Sequence, residues 1–586
     1  MTNLDFGEFT DSSAWIFAKT MPYNPHWYTL RKDAKCSSST FNDAIEYIRS
    51  HGELRLFHER KYIEYDYNGY TYWTMGSPVE QTILINRALS KMTDKTKKLP
   101  TLSKSRFMAG IQCEKRLYLE CYHRDLADSI NANQQAVFDN GTDVGVLARQ
   151  LYPDGVLIDV DYMHFPKALS LTTAVLGEKI RVPLFEAAFQ FDDIRTRVDI
   201  LKPTDENAFS LIEVKSSSSL KEEYILDASI QYYILMGAGI NVTQVCLAHL
   251  NKEYVYPGGE YDLTQLFTID DITNEAQALQ PEIKISLKSM RLCLAESAIP
   301  PIKAGKQCTK PNRCSFYGHC HQNEPAHHVS QLPRITEKLL QRLEEIGVND
   351  ILQIPADFSE LNEIQQRVRD CVVNNTVYLD KEIKNELNSL VYPMHFLDFE
   401  TFNPALPLYI GTKPYEIIAF QWSDHILDTD GKLQHEEFLH DGTGDPRHAF
   451  TESLIKTLDK TGSIVVYSGY EAGRIKALAD ALPQFSDELL AILPRIFDLL
   501  PQVRNYCYHP EFHGSFSIKD VLPALIPGMG YKDLEINEGG LASLAYLEII
   551  SPQTTLDRCN ELRTNLLKYC ERDTVAMVKL VEALRK

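Results

Sequence analysis

The alternation of apolar and polar residues predicts strands in three parts of the chain. YIEYDYNGYTYW indicates two strands joined at Asn68-Gly69, TRVDILKPTDENAFSLIEVK indicates two strands joined by a polar turn, and MHFLDFETF indicates one buried strand. The helical spacing of apolar residues predicts helices after Ser103, through SSSSLKEEYILDASIQYYIL, over residues 334–388 and over about residues 562–584. The pattern therefore predicts an α/β multidomain chain.

Polar linkers divide the chain into four expected domains. TDKTKKLP separates a small α+β N-terminal domain, residues 1–97, from a long α/β domain over residues 98–325. HQNEPAHHVSQLP, with its two prolines, leads into a helical connector over residues 326–390. LPRITEKLLQRLEEIGVNDILQIP in this connector resembles a helix-hairpin-helix segment, although an ordinary helical spacer is the favoured interpretation. A final α/β domain is expected over residues 391–586.

The composition narrows the classes of function. The chain of 586 residues is 44% hydrophobic and 24% charged, and its formal net charge is −20. Such acidity argues against a passive nucleic-acid coat, but it is compatible with carboxylates that approach phosphate through bound cations. No apolar run of about 18 residues and no signal-peptide start is found, so we expect a cytoplasmic protein whose cysteines do not form disulfides.

A first acidic site is predicted on the hairpin that contains DIL and IEVK. Alternate residues of a strand share a face, so Glu213 and Lys215 point the same way, and Asp199 on the partner strand can lie beside them. Two carboxylates can hold Mg²⁺ or Mn²⁺, and a lysine can help to position or deprotonate an attacking water. The alternative for so short a pattern is a surface hairpin with a salt bridge. Glu186 upstream and Gln231 downstream favour a site.

This order of residues resembles the RecB/AddB-like nucleases of the PD-(D/E)XK superfamily that carry an iron–sulfur cluster, over roughly residues 103–325. The resemblance implies a restriction-endonuclease-like fold with three metal-binding carboxylates: Glu186, Asp199 and Glu213. It also implies a catalytic lysine and two supporting helix residues: Lys215, Gln231 and Tyr232. Many members carry a metal-binding histidine on an early helix, and FDNGTDVGVLARQLYPDG has none. Either Glu186 takes that role or one metal position is weakened.

Four cysteines form another predicted feature, with one far upstream and three that have five residues between neighbours in CTKPNRCSFYGHC: Cys113, Cys308, Cys314 and Cys320. Four thiolates suffice for a [4Fe–4S] cluster, and this one-plus-three arrangement resembles the iron–sulfur clasp of the same nucleases. Structural zinc is the alternative, because His319 and His321 adjoin the motif, but zinc pairs are usually two to four residues apart. Cys121 is the fallback ligand.

A second acidic site is predicted near the end of the chain. Asp398 and Glu400 are two residues apart on the strand MHFLDFETF and share its face, while Tyr569 and Asp573 are four apart and share a helix face. Two like charges on a buried strand are unfavourable without cations. Glu471, near a helix start in GSIVVYSGYEAGRIKALAD, is a further candidate.

This second arrangement resembles DnaQ-like exonucleases of the ribonuclease H-like superfamily, in the YprB-type branch and a related domain of unknown function, over about residues 392–586. DFE matches the family's DxE and YCERD matches its YxxxD. The resemblance implies three metal-binding carboxylates: Asp398, Glu400 and Asp573. It implies that Tyr569 orients the attacking water. Aspartate is usual in the middle motif, where this chain offers Glu471, with Asp498 as the less favoured substitute.

Both resemblances together predict a metal-dependent nuclease that hydrolyses DNA phosphodiester bonds at two separate sites, in repair or in defence, with Mg²⁺ or Mn²⁺ at each site. Two alternatives stay open. One is a non-catalytic nucleic-acid-binding scaffold with decayed sites, and the other is an RNA-processing 3′–5′ exonuclease that uses only the C-terminal site. DNA is favoured over RNA as the partner, and no membrane association is expected. Residues 1–97 receive no role.

Overall fold

The computed structural model describes residues 52–57, 62–67, 70–75, 99–178, 181–205 and 207–586. The chain divides into two compact units, which are Met1–Pro100 with Arg291–Ala298, and Thr101–Met290 with Ile299–Lys586. Described strands of the first unit form an antiparallel sheet of β1 (Gly52–Phe57), β2 (Tyr62–Tyr67) and β3 (Tyr70–Met75). The Asn68-Gly69 turn expected between β2 and β3 lies outside the described residues.

The second unit begins with a mixed sheet, which we call the first α/β region (residues 101–290 and 299–321). Its described strands are β4 (Leu102–Ser103), β5 (Val156–Leu157), β6 (Leu184–Phe191), β7 (Ile194–Asp205), β8 (Ala208–Lys215), β9 (Val242–Leu250) and β10 (Phe267–Asp271). Its helices are α1 (Lys104–Gln112), α2 (Glu114–Tyr122), α3 (Ala132–Arg149), α4 (Phe165–Gly177), α5 (Glu222–Gly237), α6 (Leu263–Leu266), α7 (Thr273–Ala278), α8 (Gln280–Ala295), whose residues from Arg291 belong to the first unit, and α9 (Tyr317–His321).

Strand β8 lies at the centre of this sheet, in the order β10-β9-β8-β7-β6-β5 with β4 beside β7. Because β8 pairs antiparallel with β7 and parallel with β9, the chain needs a crossover between β8 and β9, and α5 supplies it. Neighbours on both sides explain why most of Ala208–Lys215 is buried, including the polar residues Ser210 and Glu213. The predicted hairpin is therefore the middle of the sheet.

The connector, residues 326–390, contains three helices and one short strand: α10 (Glu337–Glu345), α11 (Glu363–Asn374), β11 (Tyr378–Leu379) and α12 (Glu382–Asn388). Leu343 and Val368 of these helices are fully buried in one hydrophobic core with Phe396 and Leu566. The connector therefore packs into the same core as the residues that follow it. This shared core had no signal in the sequence.

The second α/β region, residues 391–586, is built on a five-stranded sheet. Its strands are β12 (Met394–Phe402), β13 (Ile418–Leu427), β14 (Leu433–Leu439), β15 (Ile464–Val466) and β16 (Ile496–Asp498), in the order β14-β13-β12-β15-β16, and β17 (Cys507–Tyr508) pairs with β11. Its helices are α13 (Arg447–Leu458), α14 (Tyr470–Ala481), α15 (Ser486–Ile492), α16 (Leu499–Tyr506), α17 (Ile518–Leu525), α18 (Gly539–Ile549) and α19 (Leu556–Leu584).

These mixed sheets and helices confirm the α/β class that the sequence predicted. Strand β12 is central in its sheet, antiparallel to β13 and parallel to β15, and the 29-residue helix α19 packs against β12 and β13. Among the described helices, none has the length and apolar character needed to cross a bilayer. Both central strands, β8 and β12, carry the acidic motifs.

Candidate active sites

The first acidic cluster, which we call the hairpin site, forms where β7, β8, α1 and α5 meet. Glu213 and Lys215 share a face of β8, and Nζ of Lys215 lies 2.7 Å from Oε1 of Glu213. Glu213 is only 2% exposed, and Nε2 of Gln231 on α5 donates a 2.6 Å hydrogen bond to its Oε2. The structure thus joins the EVK strand to the glutamine of the following helix.

Two residues that the sequence analysis did not select complete the hairpin site. Lys104, at the start of α1, places Nζ 2.7 Å from Oε1 of Glu213 and 3.4 Å from Oδ2 of Asp227. Asp227 lies one turn before Gln231 on α5 and forms an ion pair with Lys215. The four-residue spacing of Asp227 and Gln231 was a signal that could have identified the aspartate. Lys104 had no such signal.

Lysine and carboxyl groups of the hairpin site compensate one another's charge. Burial, and then the charge of Glu213, raises the pKa of Asp199 to about 7, although its Oδ2 accepts a 2.8 Å hydrogen bond from the backbone of Val214. Burial also disfavours the charge of Glu213, but Lys104 and Lys215 outweigh it and hold the pKa of Glu213 well below its usual range. Two ammonium groups therefore face three carboxyl groups, counting Asp227.

Lys215 keeps its proton in this setting. Burial disfavours its ammonium form, but the nearby carboxylates of Glu213 and Asp227 outweigh burial and raise the pKa of Lys215. A lysine held in this way contributes a positive charge to the hairpin site.

Two residues implied by the resemblance stand apart from this network. The register of β6 and β7 pairs Phe185 with Ile200 and Ala187 with Val198 but skips Glu186, whose carboxylate forms a 2.8 Å ion pair with Arg149 of α3. Glu186 also has φ +56°, a left-handed conformation that side-chain-bearing residues rarely adopt. Tyr232 is buried in α5 beside Gln231. Arg149 compensates the charge of Glu186, as Lys104 and Lys215 compensate that of Glu213.

Four cysteines line one small cavity beside α2: Cys113, Cys308, Cys314 and Cys320. Cys113 stands between α1 and α2, and Cys320 lies in α9. Burial raises the pKa of the Cys308 and Cys314 thiols. An adjacent metal ion would instead lower these pKa values. The fallback ligand Cys121 is not among the residues that line this cavity.

The second acidic cluster, which we call the cleft site, lies along β12 in a cleft of about 590 Å³. The cleft is lined by all five residues that the sequence selected here: Asp398, Glu400, Glu471, Tyr569 and Asp573. Asp398 and Glu400, together with Cys570 of α19, bring three potential metal-ligand atoms within 4.8 Å of one another. Sγ of Cys570 is 3.6 Å from Oδ2 of Asp398. The sequence analysis had not selected Cys570.

Carboxyl groups in the cleft site raise one another's pKa. Burial, followed by the charges of Asp573, Glu400 and Glu471, raises the pKa of Asp398 well above its usual value. Burial and Asp573 do the same for the pKa of Glu400, while burial raises the pKa of Glu471 to about 8 and that of Asp573 to about 6. Oε2 of Glu471 is also buried with no hydrogen-bond partner among the described residues. Such a site gains from bound cations.

Lys519 and Tyr531 are further cleft-site residues that the sequence analysis missed. Nζ of Lys519 on α17 donates a 3.1 Å hydrogen bond to the hydroxyl of Tyr569, and the hydroxyl of Tyr531 donates a 2.6 Å hydrogen bond to Oδ1 of Asp573. Asp498, the less favoured substitute for Glu471, instead accepts a 3.0 Å hydrogen bond from the backbone of Leu500 and caps α16.

Known proteins resemble parts of this chain. Residues 395–517 match the model of a domain of unknown function (DUF2779), a span that includes Asp398, Glu400 and Glu471 but ends before Tyr569. A protein of Mycoplasma genitalium, "Uncharacterized protein MG366", is 25% identical over 223 residues, which cover 35% of this chain and 33% of that protein. The solved structure titled "Crystal structure of SSO0001" is 13% identical, covers 35% of this chain and 86% of the solved chain, and has a TM-score of 0.16.

Proposed function

We propose that this chain is a metal-dependent nuclease that hydrolyses DNA phosphodiester bonds at two separate sites. The cleft site carries the proposal, because its four carboxyl groups line one cleft, three of them buried and Asp398 half-buried, and Oε2 of Glu471 has no hydrogen-bond partner among the described residues. Like charges in a buried pocket are stable only when cations or protons compensate them. Carboxylate oxygens are the ligands that Mg²⁺ and Mn²⁺ prefer. Divalent cations therefore suit this donor set.

In the cleft site, the cations would be held by four residues: Asp398, Glu400, Glu471 and Asp573. Bound there, they would supply a water activated at neutral pH and charge for the leaving oxygen. The hydroxyl of Tyr569 lines the cleft and is oriented by Lys519, so it can hydrogen-bond the attacking water or the phosphate. The Lys519 ammonium also offsets phosphate charge. These roles agree with the proposed DnaQ-like assignment of residues 391–586.

In the hairpin site, Asp199 and Glu213 would hold a cation, and Gln231 fixes the rotamer of Glu213 through its 2.6 Å hydrogen bond. The ammonium groups of Lys104 and Lys215 flank Oε1 of Glu213 at 2.7 Å each. Their charge suits a phosphate that approaches the same carboxylate through a cation. This arrangement supports the RecB/AddB-like assignment of the first α/β region.

The donor set of the four-cysteine cavity fits a [4Fe–4S] cluster. The three downstream cysteines have five residues between neighbours, whereas the cysteines of zinc pairs are usually two to four residues apart, which favours a cluster over a single zinc ion. When bound, it would tie α1 to the segment around Cys314.

Nuclease assays on the purified full chain test this function. Labelled single-stranded DNA, duplex DNA and RNA are incubated with Mg²⁺ or Mn²⁺, with and without chelator. We expect chelator to stop digestion, Lys215→Ala and Asp398→Ala each to remove a separate part of it, and the double variant to be inactive. Lys252→Ala and Asp487→Ala, at exposed positions, are matched controls that keep parental activity.

Three results would reject parts of the proposal. Digestion by the double variant at the parental rate would mean that neither acidic cluster is catalytic. Binding of DNA without any digestion in either metal would identify the chain as a nucleic-acid-binding scaffold. Digestion of RNA alone, abolished by Asp398→Ala and not by Lys215→Ala, would identify a ribonuclease that works only through the cleft site.

A further inference from the structure

Helix α3 belongs to the first α/β region, yet one of its faces contributes side chains to both α/β regions. The residues on that face recur every three or four positions: Asn133, Ala136, Val137, Asn140, Val144 and Ala148. At its C-terminal half, Val144 and Ala148 are fully buried in a core with Phe185 and Ile212, which flank the hairpin site. Helix α3 is therefore anchored in the first α/β region.

The N-terminal half of the same face forms a wall of the cleft site. Asn133, Ala136, Val137 and Asn140 line the cleft of about 590 Å³ together with Asp398 and Glu400. Nδ2 of Asn133 donates a 2.7 Å hydrogen bond to Oε1 of Glu538, which directly precedes α18. A Cβ atom at Gly540 would lie 2.5 Å from Nδ2 of Asn133, so the two helices approach closely.

Independent contacts hold this wall in place. The segment 403–416, which follows directly after the Asp398–Glu400 strand, extends into the first α/β region, where Ala405 is buried with Val144 and Ala148. The hydroxyl of Tyr415 donates a hydrogen bond to the carbonyl of Ser216, the residue after Lys215. The backbone of Tyr256 forms hydrogen bonds of 2.9 Å with Thr412 and 2.8 Å with Gly411. The cleft therefore has a fixed wall built from an upstream region.

The chemistry of the wall differs from that of the cleft floor. The floor carries carboxylates and Lys519, which suit cations and phosphate, whereas the residues of α3 in the cleft are two amides and two apolar side chains. Val137 is 65% exposed, and Tyr470, which also lines the cleft, is 38% exposed. Apolar side chains contact sugars and base faces, and asparagine amides hydrogen-bond base edges. A volume of about 590 Å³ lies in the small-ligand range, which suits the terminal nucleotides of one strand.

We propose that the α3 face formed by Asn133, Val137 and Asn140 binds the sugar and base of the terminal nucleotides of a single strand whose phosphate reaches the cleft site. The first α/β region would thereby set the substrate of the second. This inference rests on the proposed nuclease function. It adds a specificity-determining surface that the acidic motifs do not include.

Kinetics in a Lys215→Ala background, which isolates the cleft site, test the inference. The test variants are Val137→Ala and Val137→Ala with Asn140→Ala. The control is Gln135→Ala with Asp139→Ala, an exposed pair on another face of α3 that shares a 2.9 Å hydrogen bond. Two substrates are compared: a single-stranded DNA oligonucleotide, and bis(p-nitrophenyl) phosphate, which has neither base nor sugar. The ratio of the two kcat/KM values reports strand binding apart from metal-site chemistry.

We expect the double variant to lower this ratio roughly tenfold, mainly through a higher KM for the oligonucleotide, and Val137→Ala to lower it by less. The control pair should leave the ratio as in the parent. An unchanged ratio in both test variants would overturn the inference while leaving the nuclease function intact. If the parent hydrolyses neither substrate, the proposed function itself fails. Val137 is mostly exposed, so its replacement does not threaten folding.

Discussion

Nζ of Lys104 and Oε1 of Glu213 lie 2.7 Å apart, although 109 residues separate them along the chain. Burial disfavours the ammonium of Lys104, but Asp227 and Glu213 outweigh it and raise the pKa of Lys104. The hairpin site therefore carries much of its own compensating charge. In the cleft site, Lys519 is the ammonium that acts on the pKa values of Glu400 and Asp573. We expect the two sites to respond differently to the removal of metal.

Replacement of Lys104 by alanine tests this internal compensation. The change leaves Glu213 and Asp227 with Lys215 alone, so we expect the free energy of unfolding in EDTA to fall by about 1–3 kcal/mol. Mg²⁺ should restore part of the loss, because a divalent cation can replace the missing charge. Urea denaturation with EDTA or Mg²⁺ measures both effects. Lys252→Ala, at an exposed position, should change neither, and a Lys104→Ala protein as stable as the parent in EDTA would contradict the expectation.

The cleft site predicts that stability of the metal-free chain depends on pH. Burial raises the pKa of Glu471 to about 8 in the folded state, against about 4.3 in an unfolded chain. The folded state therefore binds the proton more tightly. The resulting stabilisation is complete below about pH 4 and is lost as the pH rises through about 8.

Thermal unfolding at several pH values measures this effect. In EDTA, we expect the Tm to fall as the pH is raised from 6 to 8.5. Mn²⁺ should raise the Tm more at pH 8.5 than at pH 6, because the carboxylates are ionised at the higher pH. Glu471→Gln removes one of the titrating groups and should flatten the pH dependence in EDTA. The same slope in Glu471→Gln and the parent would show that Glu471 does not titrate in this range.

Local periodicity explains which site residues could be predicted. A strand fixes residues two apart on one face, so DFE and EVK carried their geometry in the sequence, and a helix does the same for Tyr569 and Asp573. Lys104, Lys519 and Tyr531 reach their partners by tertiary packing across 109, 50 and 42 residues. No local pattern encodes such distances.

The fold, like the sites, has some features that local sequence patterns predict and others that depend on tertiary packing. The strands β8 and β12 were predictable because their apolar residues recur at the two-residue period of a strand. The packing of the connector into the second α/β region could not be predicted. The sequence of an amphipathic helix such as α10 shows that one face is buried, but it does not show which core that face covers. The extension of segment 403–416 into the first α/β region was likewise invisible, because it depends on tertiary contacts such as the burial of Ala405 beside Val144 and the hydrogen bond from Tyr415 to Ser216.

Tyr531 is expected to control the metal affinity of the cleft site. Its hydroxyl donates a 2.6 Å hydrogen bond to Asp573, which favours the ionised carboxylate that a cation needs. Hydrogen bonds to charged groups contribute about 1.5–3 kcal/mol. Tyr531→Phe should therefore raise the Mn²⁺ concentration for half-maximal cleft-site activity roughly tenfold or more, measured by Mn²⁺ titration in the Lys215→Ala background.

Tyr546→Phe provides a matched control for this titration. Tyr546 is also a buried tyrosine, but its hydroxyl hydrogen-bonds His440 at 2.8 Å, and it is not among the residues that line the cleft. We expect the Mn²⁺ dependence of this variant to stay within about twofold of the parent. Equal Mn²⁺ dependence in Tyr531→Phe and the parent would rule out a role for this hydroxyl in metal binding.

The four-cysteine cavity predicts an iron–sulfur protein whose metal is needed for stability. The protein, when purified without oxygen, should be brown and contain about four iron atoms per chain. Cys314→Ser should lose most of this iron and lower the Tm, because the cluster would join Cys113 to a segment almost 200 residues away in sequence and so close a long loop. Metal analysis, visible absorbance and thermal unfolding measure these properties.

Cys121→Ser is the matched control, because Cys121 lies near Cys113 in sequence but does not line the cavity. Iron content and colour should stay at the parental level in this variant. A colourless parent that contains one zinc per chain, lost in Cys314→Ser, would replace the cluster with a zinc site. If the parent protein contains neither iron nor zinc, the four thiols lie together through packing alone. In that case Cys314→Ser should lower the Tm no more than the loss of one buried thiol explains.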